Sequence, residues 1–222
     1  MYFVKRFDID VIVFDLDGTL IDSRLDIANS LNWALGRLGY ASLPIEEIET
    51  YVGNGIAPLI KRTAHSAGAP EDEEKMLNLF RQRYFERLLE NTRLFDTVSE
   101  TINSFIGKYK MAVVSNKPER FTKKIVEGIG LYDAVGDVVY GGDTLPVKKP
   151  DPAALYEIAD KYGAPTARMV MVGDSAVDMI TAKNAGAVCV GVTYGFRPVD
   201  EIREAGADRL IDRFDQLKEL IV

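Results

Sequence analysis

The sequence predicts an α/β protein with a doubly wound, Rossmann-like parallel sheet and an all-helical module inserted into it. Five short apolar runs are rich in β-branched residues and do not alternate with polar ones, which is typical of strands buried on both faces of a parallel sheet. Segments of helical periodicity lie between these runs, and that alternation indicates a doubly wound sheet. The chain has 222 residues, 47% of them hydrophobic, which is enough for one such core and a smaller satellite.

The predicted core elements alternate along the chain. The apolar runs that predict strands span residues 11–14, 111–114, 138–140, 169–172 and 188–192. Helical patterns occupy residues 98–106, 120–129 and 152–162, and the last of these opens with proline, which is favoured at a helix start. We therefore expect residues 1–21 and 92–222 to form the α/β core.

Residues 22–91 break this alternation, because they contain no convincing strand. Two segments place apolar residues on one helical face: Ile27, Leu31, Leu35 and Leu38 in the first, and Met76, Phe80, Tyr84 and Leu88 in the second. Glycine and proline residues punctuate the segment. We expect residues 22–91 to form the inserted helical module.

Composition excludes several classes of function. The formal net charge of −7 disfavours binding to nucleic acid, since only short stretches of mixed charge oppose it. Cys189 is the only cysteine and lies in an apolar run, so we expect a buried thiol in a reducing, cytoplasmic setting. His65 is the only histidine, which excludes a His-rich zinc site. The charged N-terminal segment predicts neither a signal peptide nor a membrane span.

Polar residues directly follow three of the predicted strands. Ligands of open α/β sheets bind beyond the carboxyl ends of the strands, so these residues are expected to meet at one edge. The group consists of Asp15, Asp17, Gly18 and Thr19 after the first strand, Ser115, Asn116 and Lys117 after the second, and Asp174 and Asp178 after the fourth.

The carboxylates of this group indicate a metal site. Two like charges ~4 Å apart cost on the order of 4 kcal/mol at an effective dielectric constant of about 20, so four gathered aspartates need a counter-charge. A hard divalent cation supplies it, and carboxylate and carbonyl oxygens suit Mg²⁺.

The remaining polar residues indicate an anion. Ser115 and Asn116 can donate hydrogen bonds, and Lys149 can supply a positive charge. Carboxylates, one metal ion and one lysine around a small anion favour phosphoryl transfer.

Structural roles compete with these assignments. Asp17 and Gly18 could form a turn, Asp22 and Ser23 could cap the helix that follows them, and Asp178 could cap a helix over residues 179–185. Asp15 has no such alternative, because a carboxylate after four apolar residues has no local capping role.

Four motifs in order resemble the haloacid dehalogenase-like superfamily, and within it the phosphoglycolate phosphatases. They are DLDGTLIDS from Asp15, VVSNK ending at Lys117, KPDP from Lys149, and GDSAVD from Gly173 to Asp178. The resemblance covers nearly the whole chain. It implies a phosphatase in which residues 22–91 are a helical cap domain over the active site, acting on a small phosphorylated metabolite as a monomer or a homodimer.

The resemblance also implies the chemical roles. Asp15 would attack phosphorus and form an aspartyl-phosphate, while Asp17 would protonate the leaving alkoxide and then activate water. Asp15, the backbone carbonyl of Asp17, and Asp174 would hold Mg²⁺, and Asp178 would bind the ion or orient its ligands.

The phosphate and substrate contacts follow from the same resemblance. Ser115 and Lys149 would bind phosphoryl oxygens, and Lys149 is preferred to Lys148 because it directly precedes Pro150. Further substrate or phosphate contacts are expected from Gly18, Thr19, Asn116, Gly53 and Asn54.

One segment departs from the family pattern, and several activities stay open. Relatives often carry Pro-Gly before the helix that follows the cap, whereas this chain has Asp96 and Thr97, so the second cap linker is less defined. Sugar-phosphate phosphatases, nucleotidases, pyrophosphatases and phosphomutases share much of the pattern. A dehalogenase is disfavoured because it has no use for Asp17, and a non-catalytic regulator is disfavoured because the motif residues are intact.

Overall fold

The computed structural model of the protein describes residues 6–222. Its strands are β1 (Val11–Phe14), β2 (Ile21–Asp22), β3 (Arg93–Leu94), β4 (Lys110–Val114), β5 (Val139–Tyr140), β6 (Met169–Gly173), β7 (Val188–Val192) and β8 (Arg209–Ile211). Its α-helices are α1 (Arg24–Leu38), α2 (Ile45–Glu49), α3 (Ile56–Ser66), α4 (Glu73–Arg87), α5 (Val98–Phe105), α6 (Glu119–Gly128), α7 (Tyr132–Val135), α8 (Ala153–Tyr162), α9 (Ala176–Ala185), α10 (Val199–Glu204) and α11 (Leu217–Leu220).

Six strands form one sheet in the order β5–β4–β1–β6–β7–β8, with every neighbouring pair parallel. The chain begins in the middle at β1, builds outwards to β5, and then returns to the other side of β1 with β6. Strands β1 and β6 are therefore the neighbours between which the order reverses, which is where α/β sheets bind ligands. The predicted doubly wound parallel sheet is confirmed.

The sheet is buried on both faces, as the apolar strand sequences require. In β1, Ile12 and Phe14 pack into one hydrophobic cluster while Val11 and Val13 pack into the other. Helices α5 and α6 contribute to the first cluster, and α8 and α9 contribute to the second. Alternate residues of one strand thus serve opposite layers, which explains why the strands show no polar alternation.

Four helices, α1 to α4, lie between β2 and β3. Helices α1 and α4 pack against each other, and their predicted apolar faces are buried except at Leu38, which is partly exposed. Strands β2 and β3 pair antiparallel, with Ile21 opposite Leu94 and Asp22 opposite Arg93. The chain therefore leaves the core and returns to it at one place.

A buried carboxylate ties the two ends of this helical segment together. Asp26, in the first turn of α1, accepts hydrogen bonds from the backbone amides of Asn91 at 2.9 Å and Thr92 at 2.8 Å. The side chains of both residues also donate to it. These bonds fix the returning linker against the first inserted helix. That residues 22–91 act as a separate cap domain stays a prediction.

Thr97 keeps the backbone turn that a glycine would favour. Its φ of 64° lies in the left-handed region, and it is the one non-glycine residue with positive φ among residues 6–222. A β-branched residue is strained there. The Thr97 hydroxyl accepts a hydrogen bond from the backbone amide of Asp215 at 3.2 Å. The chain thus forms a left-handed turn before α5 without a glycine.

The sequence expectations differ from the structure at short strands. The expectation that residues 22–91 contain no strand is wrong at Asp22, which belongs to β2. Strand β8 is a second element that the sequence did not predict. Both strands have only two or three residues, which is too short to show a periodic pattern. Cys189 is buried, as expected, and His65 is exposed. None of the helices within residues 6–222 is long and apolar enough to cross a bilayer. The prediction about an N-terminal signal or membrane span involves residues 1–5, which lie outside the described part.

Candidate active site

Carboxylates meet where β1 and β6 end side by side. Asp15 directly follows β1, Asp174 directly follows β6, and Asp178 lies in the first turn of α9. Carboxylate oxygens of these three residues all lie within 4.8 Å of one another. All three residues are buried. The three aspartates therefore meet at the sheet edge, as predicted from the strands that they follow.

This cluster fits a divalent metal ion. Burial raises the pKa of Asp15 and Asp174 above the ordinary value, and the neighbouring carboxylates raise it further. Such a buried group of carboxylates is costly without a counter-charge. Hard oxygen donors of this kind suit Mg²⁺. The Asp17 carboxylate is not part of the cluster, so only its backbone carbonyl is left as the predicted ligand.

Lys149 supplies one positive charge to the cluster. Its Nζ atom lies 2.6 Å from Asp15 Oδ1 and 2.6 Å from Asp178 Oδ1, and the lysine is buried. Burial alone would lower the pKa of Lys149, but the two carboxylates raise it above its ordinary value. Lys149 is therefore an ammonium. The neighbouring Lys148 is exposed and donates instead to the backbone carbonyl of Asn54 at 3.0 Å.

Asp178 lies in the first turn of a helix as well as in the cluster, and the residue at the N-cap position is Ser175, not Asp178 as the capping alternative required. Asp178 Oδ2 accepts hydrogen bonds from the backbone amide and the hydroxyl of Ser175, at 3.1 Å and 2.6 Å, and Ser175 precedes α9. The helix begins at Ala176, three residues earlier than predicted. Because its other oxygen binds Lys149, Asp178 holds both the helix start and the lysine in place.

Gly18 and Thr19 shape the loop after β1. Gly18 has a φ of +88°, and a Cβ atom there would lie 2.1 Å from Asp174 Oδ2, so only glycine lets this loop approach the second carboxylate. The Thr19 hydroxyl donates to Asp15 Oδ2 at 3.4 Å. Both residues therefore position the aspartates, and direct contact with phosphate stays a prediction.

Asp17 has partners of its own. Its Oδ1 accepts hydrogen bonds from the hydroxyl of Ser23 and from Lys117 Nζ, the latter at 2.6 Å. Ser23 does precede α1, as its predicted capping role requires, but its side chain binds Asp17 and not the helix amides. Asp22 instead accepts from the backbone amide and the guanidinium of Arg24.

Lys117 is the functional residue that sequence reasoning left without a role. Its Nζ also donates to the hydroxyl of Tyr84 at 2.7 Å, and Tyr84 belongs to the inserted helix α4. Burial raises the pKa of Tyr84 to about 12, so the phenol stays neutral. Burial would lower the pKa of Lys117, but Asp17 and Tyr84 raise it. The available signal was its position in the SNK tripeptide after β4.

A cavity of about 50 Å³ lies between these groups and the inserted helices. Its polar lining consists of Asp15, Asp17, Tyr84, Ser115, Asn116 and Lys117. Its other lining residues are Ile27, Val52, Gly53, Gly55, Ile56, Leu59, Phe80, Pro118 and Phe121. The proposed nucleophile and the proposed acid therefore open onto one space, whose far walls are apolar.

Two of the predicted substrate contacts lie in the loop before α3. Gly53 lines the cavity, and its carbonyl accepts from Asn116 Nδ2 at 3.4 Å. Asn54 is not among the lining residues, and its carbonyl accepts a hydrogen bond from Lys148. Gly55 takes its place in the lining. Asn116 also donates to the carbonyl of Lys149 at 3.2 Å, so it connects this loop to the lysine.

Comparison with known proteins gives one consistent result. A family model described as haloacid dehalogenase-like hydrolase matches residues 12–192. A phosphoglycolate phosphatase of Vibrio parahaemolyticus is 38% identical over 221 residues, 96% of each chain, and one of Haemophilus influenzae is 37% identical, over 95% of this chain and 97% of its own. A crystal structure from Haemophilus somnus, described as a predicted phosphoglycolate phosphatase, matches with a TM-score of 0.90 at 31% identity and covers 95% of this chain and 97% of that one.

Proposed function

Because the chain belongs to the haloacid dehalogenase-like hydrolase family, we propose that it is a Mg²⁺-dependent phosphatase that hydrolyses 2-phosphoglycolate through an aspartyl-phosphate. The named relatives support that substrate. The observation that carries the proposal is that Asp15 and Asp17 line one cavity, while the Asp15 carboxylate also contacts Lys149. Nucleophile, acid and phosphate-binding cation are thus within reach of one small molecule.

In the first step, a carboxylate oxygen of Asp15 attacks phosphorus and the bond from phosphorus to the bridging oxygen breaks. Asp17 gives its proton to that oxygen, so the leaving group departs as an alcohol. The structure supports this role, because Ser23 and Lys117 bind Oδ1 and no residue in 6–222 donates to Oδ2, which is free to carry the proton. Lys149 offsets the negative charge on the phosphoryl oxygens.

In the second step, Asp17 is a carboxylate and takes a proton from a water molecule. The water oxygen attacks phosphorus, the bond between phosphorus and Asp15 breaks, and inorganic phosphate leaves. Both aspartates then have their starting protonation states. The hydroxyl of Ser115, which lines the cavity beside Asp15, is placed to donate to a phosphoryl oxygen throughout.

Asp15, Asp174, Asp178 and the carbonyl of Asp17 would hold Mg²⁺, which when bound neutralises charge on the phosphoryl oxygens and among the carboxylates. The charge balance supports the presence of this ion, because three buried carboxylates lie around a single lysine and need a further positive charge. Lys149 already contacts two of them, so the lysine and the ion would share the neutralisation of the site.

The inserted helices act in this proposal as a cap that keeps bulk water from the aspartyl-phosphate. Gly53 and Gly55 line the cavity from the inserted segment. The partner is a small phosphorylated metabolite, and neither nucleic acid nor a membrane is required. The net charge of −7 supports that choice.

The test is a phosphatase screen with Mg²⁺ across 2-phosphoglycolate, sugar phosphates, nucleoside monophosphates and pyrophosphate. We expect 2-phosphoglycolate to be preferred, chelation of Mg²⁺ to stop turnover, and Asp15→Asn to abolish it in a folded protein. Asp133→Asn, an exposed change in α7, is the control. Wild-type turnover by Asp15→Asn would contradict the assignment of Asp15 as the nucleophile. Full turnover in excess chelator would contradict the requirement for Mg²⁺. Interconversion of sugar phosphates would indicate a mutase.

A further inference from the structure

Lys117 is a buried cation in the cavity with capacity for one more ligand. An ammonium group has three hydrogen-bond donors. Two of them are used, on Asp17 Oδ1 at 2.6 Å and on the Tyr84 hydroxyl at 2.7 Å. Within residues 6–222 the structure gives no third acceptor. Since Lys117 lines the cavity, a bound molecule can supply that acceptor.

The rest of the cavity offers little else to a negative charge. Lys117 is the only lysine, arginine or histidine among the lining residues that the structure describes; Lys149 is not a lining residue, and its Nζ contacts Asp15 Oδ1 at 2.6 Å. The walls contributed by the inserted helices are apolar, as at Ile56, Leu59 and Phe80. Lys117 can therefore neutralise a leaving group that carries one negative charge. A leaving group with several negative charges would be left partly unneutralised in the cavity.

Distances limit how far that anionic end can be from phosphorus. A general acid lies about 2.6–3.2 Å from the oxygen it protonates, so Asp17 must approach the bridging oxygen that closely. Lys117 Nζ lies 2.6 Å from Asp17 Oδ1, whereas the proton is on Oδ2, roughly 2.2 Å from Oδ1, so Nζ is within roughly 8 Å of the bridging oxygen. One carbon separates the bridging oxygen from a 2-carboxylate, whose oxygens lie roughly 3 Å from it. A hydrogen bond of about 2.8 Å from Nζ to such an oxygen requires Nζ to be no more than roughly 6 Å from the bridging oxygen, which lies inside that limit.

We propose that Lys117, held by Tyr84 of the inserted helix α4, binds the carboxylate of the leaving group and so selects phosphorylated 2-hydroxy acids. This inference rests on the proposed function and adds its specificity-determining residue. The selectivity comes from one core residue and one inserted residue, so it requires both parts of the chain to meet.

The test compares two substrates of nearly equal size. 2-Phosphoglycolate carries a carboxylate where 2-hydroxyethyl phosphate carries a neutral hydroxymethyl group. We expect wild-type protein to prefer 2-phosphoglycolate in kcat/KM by about tenfold to hundredfold, the range of a charge-assisted hydrogen bond. Lys117→Met should lower this ratio at least tenfold, chiefly by raising KM for 2-phosphoglycolate. Lys117→Arg should restore part of it.

Lys117→Met also removes a contact to Asp17, and the ratio of the two kcat/KM values distinguishes that effect from lost recognition of the carboxylate. A defect in Asp17 slows the hydrolysis of both substrates alike and leaves the ratio unchanged. Tyr84→Phe, which keeps the ring and removes the hydroxyl, should lower the ratio less than Lys117→Met. Lys123→Met, an exposed change, should leave it unaltered. If Lys117→Met does not fold, the ratios measured for wild-type protein and for Tyr84→Phe still test the inference.

Two results would overturn the inference. They are an unchanged ratio in Lys117→Met, which includes an equal loss on both substrates, and no wild-type preference for the carboxylate. A wild-type protein that hydrolyses neither compound would overturn the proposed function and this inference with it. The failure of the inference alone is therefore recognisable by hydrolysis without selectivity.

Discussion

The ammonium of Lys149 lies 2.6 Å from Oδ1 of Asp15, the carboxylate that we assign as nucleophile. Both groups are buried, so removing the lysine leaves the Asp15 carboxylate without its counter-charge in a region of low dielectric constant. The lysine therefore restrains the nucleophile as well as supplying positive charge for phosphate. A phosphate-binding role alone would not require this contact.

The adjacent lysines provide a matched pair for testing that contact. Lys149→Met should lower kcat/KM for 2-phosphoglycolate by about 10²–10³, because a preorganised cation is lost, and should also lower Tm. Lys148→Met removes an exposed lysine and should cost less than about tenfold, as expected of a screened charge. Steady-state kinetics and thermal melts measure both. Equal losses in the two variants would contradict the assignment of Lys149.

Asp17→Asn should separate the two chemical steps. The variant cannot protonate the alkoxide or activate water, so we expect kcat to fall by about 10²–10⁴, with slow phosphorylation of Asp15. Mass spectrometry of the quenched protein and the stoichiometry of product release measure this. Asp22→Asn changes a half-exposed carboxylate outside the cavity and serves as the control. Unimpaired multiple turnover would show that Asp17 is neither acid nor base.

Asp174→Asn should stabilise the metal-free protein while removing activity. At pH 8 without Mg²⁺, relief of like-charge repulsion should raise stability by about 1–2 kcal/mol, or Tm by roughly 2–8 °C. The amide can still accept the hydrogen bond from Phe196. Wild-type protein should gain more in Tm from added Mg²⁺ than the variant does, with NaCl of equal ionic strength as the control. A variant that melts below metal-free wild type would oppose this account.

The advantage of Asp174→Asn should depend on pH. The pKa of Asp174 is raised above 3.8 in the folded chain, whereas it has its ordinary value in the unfolded chain. Between the unfolded and the folded pKa, the folded chain therefore binds more protons than the unfolded one. Stability of the metal-free wild type therefore falls as pH rises through this window. Melting curves in chelator should show the two proteins converging near pH 4 and separating towards pH 8.

Replacements at Thr97 should reveal strain before α5. Thr97→Gly and Thr97→Ala both lose the hydroxyl that binds the amide of Asp215, but only glycine relieves the positive φ. We expect the glycine variant to be more stable than the alanine variant by about 1 kcal/mol, measured by denaturant unfolding. An alanine variant of equal or greater stability would show that the turn is not strained.

The sequence predicts the acidic cluster well for a simple reason. Asp15 and Asp174 each end an apolar run, and parallel strands bring their carboxyl ends to one edge. Their meeting follows from strand order without any detail of side-chain packing. The helical faces through Leu31 and Phe80 are similarly visible, because burial imposes their period.

Other parts of the site depend on packing that no local pattern reveals. The role of Lys117 requires Tyr84, 33 positions earlier in the chain, to lie over it. Ser23 has the sequence of a helix cap, yet its hydroxyl turns to Asp17. Asn54 lies outside the cavity lining, and its carbonyl accepts a hydrogen bond from Lys148, which is separated from it by 94 positions. Such contacts follow from how the inserted helices sit on the sheet, and the sequence carries no periodic signal for that.

The pairing of β2 with β3 has an evolutionary consequence. Neighbouring strands lie about 4.8 Å apart, so any segment spliced between them need only begin and end at adjacent points. The aspartates and Lys149 are encoded outside that stretch, whereas Tyr84 is encoded inside it. A single recombination event therefore exchanges the residue that holds Lys117 and the apolar walls that the inserted helices contribute to the cavity, while Lys117, Lys149 and the aspartates pass unaltered to the descendant.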